Sequence, residues 1–306
     1  MTPLSGTQYQ LVAADYTATV ASVGATLREL TWRGRHLVVP FEADEVRPSF
    51  RGALLAPWPN RVVDGKYHSN GIEHELPLTE PARGHALHGL VAWQEFGRLA
   101  YGPSSVTLAA TLQAQSGYPF RLDLVAGFEL SESGLTINLS ASNTGKSSAP
   151  YGTGIHPYLV AGGGGVDNWE LELPAKSVLA VTPDRLVPQN LVSMSDMGGG
   201  RFDFRRPRQI GDTAIDHAYT DLALGQDQEF TARLTDIGGT GVALAWGREC
   251  PWVQVHTADR PELDVNRIGL ALEPMTCPPD AFNSGRDLII LPPGGSNNTW
   301  WRIMAL

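Results

Sequence analysis

Glu273 is the residue of this chain whose surroundings most favour acid/base chemistry. It lies in the stretch 271–283 (ALEPMTCPPDAFN), whose other residues are mostly apolar, small or proline. Burying a carboxylate in such a segment is costly unless a partner pairs with it, and burial raises the pKa of the group towards the range useful for proton transfer. The segment alone does not separate a placed acid/base group from a structural glutamate that caps a loop.

His156 is the second candidate for proton transfer. It lies in the stiff and partly apolar segment Gly152–Tyr158, a setting that is also typical of a histidine buried for structural reasons. His85 and His88 are three residues apart, but no cysteine or carboxylate stands at ligand spacing, so we do not expect a metal site. The histidines without supporting context, expected to be structural or at the surface, are His36, His68 and His256.

Arg61 and Asp216 are the candidates for binding polar groups of a ligand. Arg61 follows the rigid run Pro57–Asn60, so its guanidinium could be aimed at vicinal hydroxyls, or could instead tie down a loop. Asp216 lies between Ile215 and His217, and a buried aspartate there would need donors such as ligand hydroxyls. The aromatic residues that could form flat walls, although each is also typical of a core, are Trp58, Trp93, Tyr158, Trp252 and Phe282.

The elements that must position these groups are predicted to be strands. Apolar residues recur at every second position in 106–112, 122–130 and 135–141, which is the pattern of half-buried strands. The last two runs are joined by Ser131–Gly134 and predict a hairpin. Further strands are predicted at 17–23, 24–32, 241–246, 252–256, 288–291 and 299–304, the last closing a sheet at the C-terminus. No window carries an apolar stripe of helical period with caps.

These patterns predict an all-β chain built as a large antiparallel β-sandwich, with residues 1–306 in a single domain. Net charge is −9 and no basic run occurs, which argues against nucleic acid as a partner. No apolar run is long enough to span a membrane, and no signal peptide is evident. The two cysteines, Cys250 and Cys277, fit neither a disulfide framework nor a zinc pattern, so a reducing, cytoplasmic location is expected.

Six segments, taken together, resemble the aldose 1-epimerase (galactose mutarotase-like) family over nearly the whole chain and occur in the family's order. They are Gly24–Leu27, Pro57–Tyr67, Ala86–Gly89, Gly152–Leu159, Asp216–Leu222 and Glu273–Asn283. The resemblance implies a galactose mutarotase-like supersandwich with a sugar site in a cleft on one face. It also implies no metal and no organic cofactor. The expected partner is a small monosaccharide, and the protein is expected to be a monomer or homodimer.

The resemblance also implies roles for individual residues. Glu273 would be the general base and His156 the general acid in the exchange of α and β anomers of a hexose. The residues expected to bind the sugar are His88, Arg61, Asp216, Asn60 and Tyr158. Burial should raise the pKa of Glu273 and a nearby carboxylate should raise that of His156, so the two values should frame a bell-shaped rate profile around neutrality.

Two other functions are also compatible with the sequence. An epimerase for a phosphorylated hexose would need additional arginines facing the site, for which Arg51 and Arg83 are candidates. A non-catalytic sugar-binding module would keep the aromatic walls and hydroxyl contacts without needing both Glu273 and His156. The identity of the sugar is left open.

Overall fold

Alternating apolar side chains form the strands that the sequence predicts. In the computed structural model, which describes residues 1–306, Leu122–Ser131 pairs antiparallel with Gly134–Asn143, and Ser131 faces Gly134 at the turn. Every second residue of the first of these strands is buried. The predicted hairpin and its turn are therefore confirmed.

The strands follow one another along the whole chain. In chain order they are β1 (Gln8–Ala13), β2 (Tyr16–Ala21), β3 (Thr26–Trp32), β4 (Arg35–His36), β5 (Leu54–Leu55), β6 (Arg61–Val63), β7 (Lys66–Ser69), β8 (Ile72–Glu75), β9 (His85–Leu87), β10 (Gly97–Tyr101), β11 (Ser105–Leu112), β12 (Leu122–Ser131), β13 (Gly134–Asn143), β14 (Ala149–Tyr151), β15 (Gly154–Ile155), β16 (Tyr158–Leu159), β17 (Glu170–Glu172), β18 (Ala175–Val181), β19 (Pro188–Ser193), β20 (Arg208–Gln209), β21 (Asp216–Leu222), β22 (Phe230–Thr235), β23 (Gly241–Trp246), β24 (Trp252–His256), β25 (Leu270–Met275), β26 (Ile289–Leu291) and β27 (Ser296–Ala305).

Two large antiparallel sheets contain most of these strands. One has nine strands in the order β10-β11-β12-β13-β27-β23-β22-β17-β20. The other has eight strands, in the order β19-β18-β21-β24-β25-β15-β5, with β16 also paired to β25. A four-stranded sheet, β1-β2-β3-β4, and three two-stranded pairs, β14-β26, β6-β9 and β7-β8, complete the set.

The core lies between the two large sheets. A single apolar cluster of 64 buried residues includes Leu124 and Leu244 from the nine-stranded sheet and Val253 and Leu272 from the eight-stranded sheet. Burying each such side chain stabilises the fold by about 1.5–3 kcal/mol. The expected antiparallel β-sandwich is therefore confirmed, whereas the single-domain organisation stays a prediction.

Helices are few and short, as the sequence predicts. They comprise one α-helix, α1 (Ala281–Ser284), and the 3₁₀ turns Pro48–Phe50, Val166–Asn168 and Met197–Gly200. No helix has the length and apolar character needed to cross a membrane. The C-terminal strand differs from expectation in its position, because β27 pairs with both β13 and β23 and so lies inside the nine-stranded sheet.

Candidate active site

Glu273 lies on β25, in the interior of the eight-stranded sheet. Two short strands pair with this one strand: β15 through Gly154 and β16 through Tyr158. The register is the same in both pairs, Gly154 opposite Met275 and Tyr158 opposite Ala271, so His156 stands directly opposite Glu273. On its other side the His156 N–H donates to the carbonyl of Ala53 at 3.1 Å. Side chains directly opposite each other on neighbouring antiparallel strands are close enough to interact.

The two side chains meet in a buried contact. His156 Nε2 lies 3.3 Å from Glu273 Oε1, and the side chains are only 5% and 3% exposed. The second carboxyl oxygen, Oε2, is buried and makes no hydrogen bond with any protein group. Buried polar atoms are nearly always hydrogen-bonded. Oε2 is therefore available to accept a hydrogen bond from a ligand hydroxyl.

Burial moves the pKa values of the pair in opposite directions. It raises the pKa of Glu273 well above its ordinary value, and the charge of Asp216 raises it further against the opposing effect of Arg61. Burial lowers the pKa of His156 to about 3, with a smaller effect in the same direction from His256. The expectation that a carboxylate would raise the pKa of His156 is therefore wrong, because both groups are taken out of water together and the neutral forms are favoured.

His88 stands beside this pair on a strained loop. The centroid of its ring lies 4.9 Å from that of His156. His88 and Asn60 both have positive φ, 61° and 54°, and they bond reciprocally: the His88 N–H donates to the Asn60 carbonyl at 2.8 Å, and the Asn60 N–H donates to His88 Nδ1 at 3.2 Å. The second bond fixes the tautomer, so neutral His88 carries its proton on Nε2 and can donate it. Burial lowers the pKa of His88 well below its ordinary value, which keeps it neutral.

Arg61 is held by two acidic groups. It opens β6, and its Nε and Nη2 donate to the two carboxylate oxygens of Glu80 at 2.7 and 3.0 Å. Its Nη2 also lies 3.7 Å from Asp216 Oδ2. A bidentate pair of this kind fixes the plane of the guanidinium. Glu80 is thus a positioning residue that the sequence analysis did not identify.

Removing this support should destabilise the protein. We expect Glu80→Ala to lower the free energy of unfolding by about 3 kcal/mol, because it leaves the largely buried Arg61 without its bidentate partner. Urea unfolding monitored by tryptophan fluorescence measures the change. The matched control is Glu73→Ala, which removes an exposed pair with His68 and should cost less than about 1 kcal/mol. Equal losses in the two variants would contradict a structural role for the buried pair.

Asp216 faces the site from the neighbouring strands. On β21 it is the register partner of His256 on β24, and Gln254 on β24 is the partner of Glu273. Gln254 Nε2 donates to Asp216 Oδ1 at 2.6 Å. Burial acts to raise the pKa of Asp216, but His256, Arg61 and this hydrogen bond outweigh it and hold the pKa below its ordinary value. Asp216 is therefore an ionised carboxylate of the site, as is the arginine-bound Glu80, whereas Glu273 favours its protonated form.

These groups line one cavity of about 250 Å³. Its aromatic walls are Tyr158, which stacks on the His156 ring at 5.2 Å, and Phe50, whose centroid lies 4.8 Å from that of His88. The volume lies just below the range for ligand sites, roughly 300–1,000 Å³, which favours a single small ring over a nucleotide or an oligosaccharide. A wider depression of about 680 Å³, lined by Gly200, Asp203 and residues 205–208, contains no comparable acid/base pair.

His88, His156 and Glu273 also form a set of donors that a metal ion could use. Their ligand atoms lie within 4.8 Å of one another and all three residues are buried. Two imidazoles and one carboxylate suit Zn²⁺ in type and number. His85, three residues before His88, is not part of this set, because its Nδ1 accepts from the Asp64 N–H and its Nε2 contacts the Arg185 carbonyl.

The structure brings all the sequence-predicted site residues to this cavity. They are Glu273, His156, His88, Arg61, Asp216, Asn60 and Tyr158. Their catalytic and binding roles stay predictions. Of the other aromatic candidates, Trp58 and Trp252 are buried outside the lining, Phe282 packs on Trp58 at 5.5 Å, and Trp93 is exposed.

Several residues of the cavity were not selected from the sequence. His256, expected to be structural or at the surface, lines the cavity with its Nδ1 3.9 Å from Asp216 Oδ2. Arg260, also not selected, lies at the cavity as well. Of the two arginines considered for a phosphate group, Arg83 lies at the cavity, whereas Arg51 packs over the Tyr158 ring without reaching the lining. The alternation of side chains along β24 could have pointed to His256, because His256 lies two positions from Gln254 and therefore on the same face of the sheet.

Comparison with known proteins places this geometry in a family. The sequence model described as aldose 1-epimerase matches residues 7–303. The chain is 35% identical to an uncharacterized protein, YihR, of Escherichia coli strain K12, over 98% of this chain and 93% of that protein. It is 24% identical to galactose mutarotase of Rattus norvegicus, over 96% of this chain and 93% of that protein.

The fold comparison agrees with the sequence comparison. The structure of the GalM/aldose epimerase homologue from C. elegans superposes with a TM-score of 0.85 at 19% identity, covering 98% of both chains. This likeness confirms the expected galactose mutarotase-like β-sandwich. The chain therefore belongs to the aldose 1-epimerase family.

Proposed function

We propose that this protein is an aldose 1-epimerase that interconverts the α and β anomers of a hexose. The observation that carries the proposal is the buried contact of 3.3 Å between Glu273 Oε1 and His156 Nε2 at the cavity. An acid and a base in contact can share one proton. The base can then take a proton from a substrate while the acid gives a proton to it. Anomer exchange requires that combination.

The reaction needs two proton transfers and no net change in protonation. A base removes the proton of the C1 hydroxyl, an acid protonates the ring oxygen, and the bond between C1 and the ring oxygen breaks to give the open aldehyde. Rotation about the C1–C2 bond and reclosure on the other face reverse these transfers. Glu273 and His156 together hold the single proton that this cycle requires, and each positioned transfer typically contributes about 10²–10⁴ in rate.

The remaining side chains supply contacts for the sugar. Arg61 and His88 can donate to ring or hydroxyl oxygens, and Asp216 can accept from a hydroxyl. Asn60 positions both Arg61, through an Oδ1 that accepts from the Arg61 N–H at 2.9 Å, and His88. Tyr158 offers a flat apolar surface of the kind that packs on a sugar face.

Polarimetry of freshly dissolved α-glucose and α-galactose tests the proposal. The wild-type protein is expected to accelerate the approach to anomeric equilibrium in proportion to its concentration. A protein that binds the sugar in a saturable manner but leaves the spontaneous rate unchanged would instead be a sugar-binding module. That outcome would overturn the proposed activity while leaving the family assignment intact.

The pH dependence follows from the proton shared by the pair. The pair takes up a second proton only when His156 is protonated, and the pKa of His156 is about 3. Activity should therefore persist at mildly acidic pH. The last proton leaves Glu273, whose pKa is raised, so activity should fall on the alkaline side. We expect kcat/KM to be level from about pH 4 and to decline only at alkaline pH. A loss of activity on the acid side centred near about pH 6.5, as for an ordinary histidine, would contradict this assignment.

A further inference from the structure

Arg260 is the one cavity-lining arginine that lacks an acidic partner. It lies at the cavity with its side chain open to solvent and forms no ion pair. Its Nη2 donates a hydrogen bond to Ser49 Oγ at 3.3 Å, and its guanidinium lies beside the Tyr158 hydroxyl. The neighbouring carboxylate, Asp259, is bound instead by Arg267 at 2.7 Å. Arg260 therefore presents a free guanidinium at the cavity.

The backbone around Arg260 and the backbone around Ser49 direct these two side chains to the cavity. The N–H of Arg260 donates to Asn266 Oδ1 at 2.9 Å, which holds the loop that carries it. Opposite, Ser49 and Phe50 both have positive φ, 48° and 57°. Such a conformation is strained for residues other than glycine, and strain of this kind is concentrated at functional sites. This backbone conformation places the Ser49 hydroxyl beside Arg260, where the hydroxyl can donate a hydrogen bond to a ligand.

The acidic groups around the cavity lie beside arginines other than Arg260. Arg61 and Arg83 share Glu80, and Asp216 lies beside Arg61. Asp259 is bound by Arg267, which also binds Asp167. Arg260 therefore has no carboxylate within ion-pair distance, and an anionic group of a ligand could bind to it. Arg83 adds a buried Nε–H that bonds no protein group.

We propose that the sugar bound here carries an anionic substituent, remote from the anomeric carbon, that Arg260 and Ser49 hold with Arg83 beside them. This proposal rests on the proposed anomer exchange and names the class of its substrate. Ionic hydrogen bonds to a carboxylate, sulfate or phosphate are stronger than those to a neutral hydroxyl.

Comparison of neutral and anionic sugars tests this. Initial rates would be measured by nuclear magnetic resonance for glucose, glucuronate, glucose 6-sulfate and glucose 6-phosphate. For the wild type we expect kcat/KM to be about 10–100-fold higher for an anionic sugar than for glucose. KM for these anions should rise with salt, because exposed charges are screened. A preference for any one of the three anions supports the proposal and identifies its substituent, and no preference for any anion would overturn it.

Arg260→Gln should remove most of this preference by raising KM for the anionic sugars, with a much smaller effect on glucose. The matched control is Arg98→Gln, on an exposed arginine of β10 in the other large sheet, which should change neither. An equal loss for neutral and anionic sugars in Arg260→Gln would contradict the proposal.

Calorimetric titration separates this proposal from the proposed reaction. If no sugar is turned over but glucuronate or glucose 6-sulfate binds more tightly than glucose, and Arg260→Gln abolishes the difference, the reaction is wrong and the anion site stands. If glucose is turned over and binds as tightly as every anion, the reaction stands and the anion site is wrong.

Discussion

Glu273→Gln is expected to lower kcat for anomer exchange by at least about 10²-fold. The amide keeps the volume of the side chain and can still contact His156, but it can neither take up nor release a proton near neutral pH. KM should change little, because the sugar-binding groups stay in place. Polarimetry over a range of sugar concentrations separates kcat from KM.

The control for this variant is Glu132→Gln, which makes the same chemical change at an exposed residue of the turn between β12 and β13. It should retain full activity. Circular dichroism on Glu273→Gln excludes misfolding, which we do not expect because the carboxyl already favours its neutral form. An active Glu273→Gln protein would remove Glu273 from the reaction, whatever the family assignment.

The fold was predictable from the sequence where the signal was local. Burial alternates along β12 as its apolar residues do, and the turn Ser131–Gly134 fixes the register of the hairpin. The position of β27 was not predictable in the same way. Its partners, β13 and β23, are distant in sequence, and period-two alternation says which face is buried but not which strands are neighbours.

The site was predictable where one residue contrasted with its own segment. Glu273 stood out among apolar neighbours, and burial is the largest cause of its raised pKa. The predicted direction of the pKa shift of His156 was wrong because its burial with Glu273 depends on the pairing of β15 and β16 with β25, strands that are distant in sequence. Glu80 was missed for a related reason: its partner, Arg61, is 19 residues away, and β6 and the loop before β9 bring them together.

His156→Gln is the second substitution with a large expected effect. It should lower kcat by about 10²–10⁴-fold, because Glu273 then has no partner with which to exchange its proton. The matched control is His68→Gln, at an exposed histidine of β7 whose side chain is 70% exposed, which should retain full activity. Polarimetry under the conditions used for Glu273→Gln allows direct comparison.

The double variant, Glu273→Gln with His156→Gln, tests whether the two groups act as one unit. If one proton passes between them, either single substitution already abolishes the exchange, and the double variant should be about as active as the poorer single variant. If the loss of kcat in the double variant instead equals the product of the two single losses, the two residues act independently in separate steps. The contact of 3.3 Å between Nε2 and Oε1 favours the first outcome, because groups in contact are coupled and distant groups are not.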